Sequence, residues 1–158
     1  MEEKKYAVLL TDSQEVKLMA CDPAKEIFDI GRDAIGCEWI ELVEPEPLAR
    51  NHMLLMIDEE AKLKEKCFIN CIASHLYGSE QHGDPIVGNA VIVKITGENL
   101  ALLSANEAKQ VAFAMAQIRD FSIDQVSEAF GLRPVHRSDA EKGKKVHRQT
   151  GGKERIER

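Results

Sequence analysis

Residues 67–93 read CFINCIASHLYGSEQHGDPIVGNAVIV and place Cys67, Cys71, His75 and His82 within sixteen positions. Thiolate and imidazole together suit Zn²⁺. On one continuous helix Cys67, Cys71 and His75 would share a face, because each follows the last by four residues. Asn70 argues against that helix. It is a good N-cap, so a helix starting there leaves Cys67 outside and dissolves the shared face. The spacing C-x3-C-x3-H-x6-H matches no common zinc finger. Buried thiols acting as small hydrophobes are the plainer account. No metal and no other cofactor is therefore expected.

The same residues offer a nucleophile and a base in Cys71 and His75. An apolar helix keeps a thiol protonated, so a small enzyme built on this pair is only a second alternative. The chain has no G-x-S-x-G elbow and no G-x-x-x-x-G-K-S/T loop. A binding loop is the stronger chemical candidate. His82-Gly83-Asp84-Pro85 followed by Gly88-Asn89 brings glycines and polar side chains between a helix and a strand. Glycine lets backbone amides approach a ligand, and successive amides can cradle an anion. His82 can donate to a phosphate or carboxylate. The expected ligand-binding set is Arg50, Asn70, His75, Tyr77, His82, Gly83, Asp84 and Asn89. Arg50 enters as a phosphate partner beside a predicted strand end.

These residues need elements to hold them. KYAVLL (5–10) and EVKLMA (15–20) flank the polar TDSQ and predict a hairpin. Asp22-Pro23 predicts a helix start, Ile27, Ile30, Ala34 and Ile35 its buried face, and Gly36 its stop. CEWIELVEP (37–45) predicts a strand ended by Pro45 and Pro47. HMLLMID (52–58) predicts a more central one. DEEAKLKEK (58–66) reads as a charged turn. A short helix from Asn70 to Gly78, a loop, and a strand over Val87–Ile95 follow. Ser104-Ala-Asn-Glu107 is a capping box opening a helix with the stripe Ala108, Val111, Ala112, Met115, Ile118. Ser122-Ile-Asp-Gln125 predicts a second start. The expected fold is α+β, a mainly antiparallel sheet with helices packed on it. Its divisions are a core domain over 1–121, a short capped helix over 122–134, and a mobile basic tail over 135–158.

Composition narrows the function. An aromatic content of 5% argues against a stacking surface for single-stranded nucleic acid. No apolar run approaches a membrane span, and MEEKKYAVLL lacks the features of a signal peptide. Four cysteines without an export signal read as thiols in a reducing cytoplasm. Charge is uneven. Residues 137–158 carry eight Lys/Arg and four acids, leaving 13 bases and 23 acids in residues 1–136. IDQVSEAFGLRP resembles the first half of a helix-turn-helix, but Arg137, Ala140 and Gly143 make a poor recognition helix. Weak electrostatic nucleic-acid contact by the tail is the plainer expectation.

CEWIELVEP, MLLMIDEEAKLKEK, Asn70-x-x-Ala73-Ser74-x-Leu76-Tyr77-Gly78 and His82-Gly83-Asp84-Pro85-Ile86-Val87-Gly88 together resemble a bacterial domain family of unknown function. The resemblance covers roughly residues 5–115. The family occurs in phages and mobile elements of Gram-positive bacteria, and its pattern often has proline or aliphatic residues at the positions of Cys67 and Cys71. It implies no established activity, cofactor or catalytic residue. By analogy of context it implies a cytoplasmic, non-enzymatic accessory protein that counteracts host defence. Such a protein would sequester a small anionic, nucleotide-like ligand or block a host protein. The alternative is a nucleic-acid-associated regulator acting through residues 122–158. Ile/Val-rich strands leave room for a homo-oligomer.

Overall fold

The computed structural model describes residues 4–131 apart from Lys66, and leaves undescribed the side chains of Glu80 and His82. The expected basic tail over 135–158 lies outside these residues, and of the expected half helix-turn-helix over 123–134 only residues 132–134 do. A six-stranded antiparallel sheet organises the rest. Strands β1 (Lys5–Leu10) and β2 (Val16–Cys21) form the expected hairpin. Strand β3 (Ile40–Val43) is one edge, and β4 (Met53–Asp58) lies inside it. Strand β5 (Ala90–Thr96) sits between β1 and β4, giving the order β2-β1-β5-β4-β3. Strand β6 (Asn99–Ala101) pairs with the end of β5 beyond its β1 pairing.

Alternation sends successive side chains of β1, β4 and β5 to different cores. On one face Val8, Leu10, Leu55, Ile57 and Ile92 pack with Ile72, Leu76, Val111 and Met115. Those four come from α3 (Cys71–Tyr77) and α5 (Ala105–Phe130), and Leu48 of the single-turn α2 (Glu46–Ala49) joins them. On the other face Ala7, Leu54, Met56, Val91 and Val93 meet Ile27, Phe28, Ala34 and Ile35 of α1 (Ile27–Ile35). Gly31 of α1 lets that helix come close: a Cβ there would stand 2.9 Å from the Ile40 side chain. Burial of the β4 and β5 side chains on both faces explains why their sequences are nearly continuous apolar runs.

Three expected boundaries move. Helix α1 starts at Ile27, not after Asp22, because the Asp22 carboxylate closes a local turn onto the Ala24 amide at 3.0 Å and Glu26 caps the helix instead. The expected loop over 78–85 contains one helical turn, α4 (Ser79–His82). Ser122 begins no new helix. It is buried inside α5, with its hydroxyl donating to the Ile118 carbonyl at 2.7 Å. No Gly or Pro interrupts α5, and Ile123 and Val126 continue its buried stripe onto a second small core of Ala61, Ile69, Cys71 and Val87. The break expected after Phe121 therefore falls within a continuous helix. No helix of the described residues is long and apolar enough to cross a membrane.

Candidate functional site

The motif around Asn70 is built into the interior. Its amide nitrogen donates to the carbonyls of Leu10 and Gly88, each at 2.9 Å, and its carbonyl oxygen accepts from the Ala73 amide at 3.1 Å. Asn70 is fully buried, so it presents no atom to a ligand in solution. Ser74, one helical turn on, accepts from the Ile86 amide at 2.8 Å and donates to the Ile86 carbonyl at 3.2 Å. The Asn89 side chain accepts from the Asp12 amide at 2.9 Å. Gly88 has a φ of +90°, a conformation that side-chain-bearing residues rarely adopt. These residues tie α3, the 86–89 segment and the β1–β2 turn into one buried polar network. Each bond satisfies a backbone group that burial would otherwise penalise.

The other expected residues scatter. His75 turns to α5, where its ring meets Phe121 edge-on at 5.3 Å between centroids. Cys71 is buried, and burial pushes its thiol up to about 12, so it is protonated at neutral pH and a poor nucleophile. Cys67 precedes α3 and packs beside the small core that includes Cys71. Among the described residues no cluster of three His, Cys, Asp or Glu could hold a metal ion. The His82 side chain lies outside the described residues. Arg50 is exposed at the end of α2 and faces Glu46 at 3.8 Å. Gly83 closes α4 with a φ of +83°.

Tyr77 and Asp84 remain together, at an open cleft of about 150 Å³. The helical layer stops short of the sheet edge here. Glu41 and Val43 of β3, Ile57, Asp58 and Glu59 of β4 and its exit, and Ala61 and Lys62 form one side. Tyr77, Asp84, Pro85, Ile86 and Val87 form the other. Asp84 pairs with Lys62 across the cleft. Asp58 is bound to Lys64 at 2.5 Å, and Lys64 also donates to the Gly36 carbonyl at 3.3 Å, which joins the end of β4 to the end of α1. The Lys64 ammonium is raised above its ordinary range by the Asp58 carboxylate. With both lysines engaged, Glu41 and Glu59 give the cleft its net negative character.

A family model described as a domain of unknown function, DUF3846, matches residues 8–115. The chain belongs to the DUF3846 family. No curated protein and no solved structure matches it. The DUF3846 match runs from β1 into α5 and contains the buried network and every residue lining the cleft.

Within the DUF3846 domain, sequence reasoning overlooked Asp12 and Gln14. Gln14 adopts a φ of +71°, which swings its side chain inward. Its nitrogen donates to the carbonyls of Asp12 and Ile69, and its oxygen accepts from the Cys71 amide, all at 2.9 Å. Asp12 accepts from the Phe68 amide at 3.0 Å. The only local signal was a four-residue polar turn, TDSQ, whose partners at Phe68, Ile69 and Cys71 lie more than fifty positions away. Glu41, Glu59 and Lys62 were also overlooked as cleft residues. Their charges read as ordinary solvated positions until the sheet register places them opposite Tyr77 and Asp84.

Proposed function

We propose that this protein is a non-catalytic accessory factor of a phage or mobile element that acts by occupying a basic surface of a host protein. The observation that carries this reading is the cleft beside β3. Its floor is apolar, from Val43, Ile57 and Ile86. Among the described residues its charges without an ion-pair partner are Glu41 and Glu59, since Lys62 and Lys64 are held by Asp84 and Asp58. An apolar floor with a carboxylate rim favours a Lys- or Arg-bearing chain. The same rim runs against an anionic, nucleotide-like ligand, and Asn70, one of the residues expected to line such a site, is buried. The excess of 23 acids over 13 bases in residues 1–136 adds long-range attraction for a basic partner.

The test is charge reversal in two variants of equal net charge. Glu41→Lys/Glu59→Lys is compared with Asp124→Lys/Glu128→Lys, which alters two exposed carboxylates of α5. Binding of an octapeptide of alternating lysine and valine is measured by calorimetry on the full chain. The cleft pair should lose binding and the α5 pair retain it. Equal losses would reduce the interaction to net charge and overturn the reading.

A further inference from the structure

The way a partner would lie in this site follows from the hydrogen-bond phase of β3. The Glu59 amide donates to the Trp39 carbonyl at 2.9 Å, and the register pairs Glu41 with Ile57 and Val43 with Leu55. Antiparallel ladders alternate, so Trp39, Glu41 and Val43 turn their backbone groups toward β4. Ile40 and Leu42 then turn their N–H and C=O groups outward. Among the described residues no strand pairs with β3 on that side.

The side chains along this edge are also divided. Glu41 and Val43 face the cleft, and Trp39, two positions earlier, continues that parity. Trp39 is 58% exposed, unusual for an indole, and Leu42 on the opposite face is 42% exposed. Glu38, Glu41 and Glu44 are all exposed along the edge. An acidic, four-residue strand is protected against self-association, because a second copy would bring like charges together. It is not protected against a basic strand.

We infer that the free edge of β3 accepts an extended segment of a partner protein as an added antiparallel strand, one that alternates apolar and basic residues. This rests on the reading of the cleft as a basic-partner site and goes further in fixing the partner's conformation and register. In an antiparallel addition the residues opposite Ile40 and Leu42 direct their amides to β3 and their side chains to the Leu42 face, where apolar groups fit. The intervening residues direct their side chains to the Trp39–Glu41 face, where Lys or Arg meets Glu41 and Glu59. Backbone bonds supply affinity and alternate side chains supply selectivity.

Trp39 is the chain's only tryptophan, so its emission reports on this edge directly. The full chain is titrated with the lysine–valine octapeptide, with a version N-methylated at every valine, and with one N-methylated at every lysine. The unmodified peptide should shift Trp39 emission to the blue and saturate. Valine methylation should weaken binding by at least about tenfold, since it removes the amides that face β3. Lysine methylation should leave binding nearly unchanged. If both methylated peptides bind as the parent does, and Glu41→Lys/Glu59→Lys still abolishes binding, strand addition is overturned and the basic-partner reading stands. If only lysine methylation weakens binding, the antiparallel register is overturned. A parent peptide that never binds overturns both. Trp39 emission that, with no peptide present, lies further to the blue in the full chain than in a chain lacking residues 132–158 would show this chain's own basic segment to be the occupant, and would also overturn the proposal.

Discussion

At the residue scale, the sharpest motif in the sequence turns out to maintain the architecture. Asn-x-x-Ala-Ser is set by what Asn70 and Ser74 must satisfy: three carbonyls and two amides of the segments around them. Asn70→Ala removes the hydrogen bonds to the Leu10 and Gly88 carbonyls and the one from the Ala73 amide. It should destabilise the fold by about 3 kcal/mol, read as a lower denaturant midpoint at unchanged slope. An unchanged midpoint would mean that water replaces the side chain. Asn70 as an N-cap and Gly78 and Gly36 as helix stops were legible in the sequence, because capping is local. The carbonyl partners of Asn70 were not. Leu10 is sixty residues away, and nothing in a single sequence marks that pairing. Gln14 was invisible for the same reason.

Elements were legible where their signals are short-range. The hairpin, the two inner strands and the Ser104–Glu107 capping box needed only short apolar runs and a four-residue pattern. The box forms in full, with Glu107 accepting from the Ser104 amide at 2.8 Å and pairing with Lys94 at 3.0 Å. The Ser104 backbone N–H, and then Lys94, hold the Glu107 carboxyl below its ordinary value of 4.5. A lowered carboxyl stabilises the fold fully above the ordinary carboxylate range and loses that contribution as pH falls through its shifted value. Glu107→Gln should therefore be less stable than the parent by about 1 kcal/mol at pH 7, and the gap should narrow below pH 4.5. A gap independent of pH would place the effect in packing alone.

The second capping pattern misled because tertiary packing overrides a local cap. Ile123 and Val126 are fully buried in the core formed with Ala61, Ile69 and Val87. A chain ended after Phe121 loses both side chains and should be destabilised by about 3–6 kcal/mol, visible in thermal melting. A chain ended after Gly131 should melt as the full chain does. If the shorter chain melted normally, α5 beyond Phe121 would be an appendage after all.

For the whole molecule, the α+β class was legible and the site was not. Sequence order brought His82, Asp84 and Asn89 together on one loop, but the fold sends their neighbours to three places: a buried network, the α5 contact of His75, and the edge cleft. Proximity in sequence is a poor guide where a loop crosses from one layer to another. The cleft depends on where the helical layer ends over the sheet, a property of the assembled layers. Its charge, however, was foreshadowed by the acidic balance of residues 1–136.

The central claim is that the edge cleft, not the buried motif, is the working surface. The most direct measurement is the Trp39 emission of full-length Glu41→Lys/Glu59→Lys titrated with the lysine–valine octapeptide, beside wild type and Asp124→Lys/Glu128→Lys. The account predicts saturable binding by wild type and the α5 pair, and at least about tenfold weaker binding by the cleft pair. The cleft pair should also keep its melting temperature, since neither glutamate is buried. Undiminished binding by the cleft pair would contradict it.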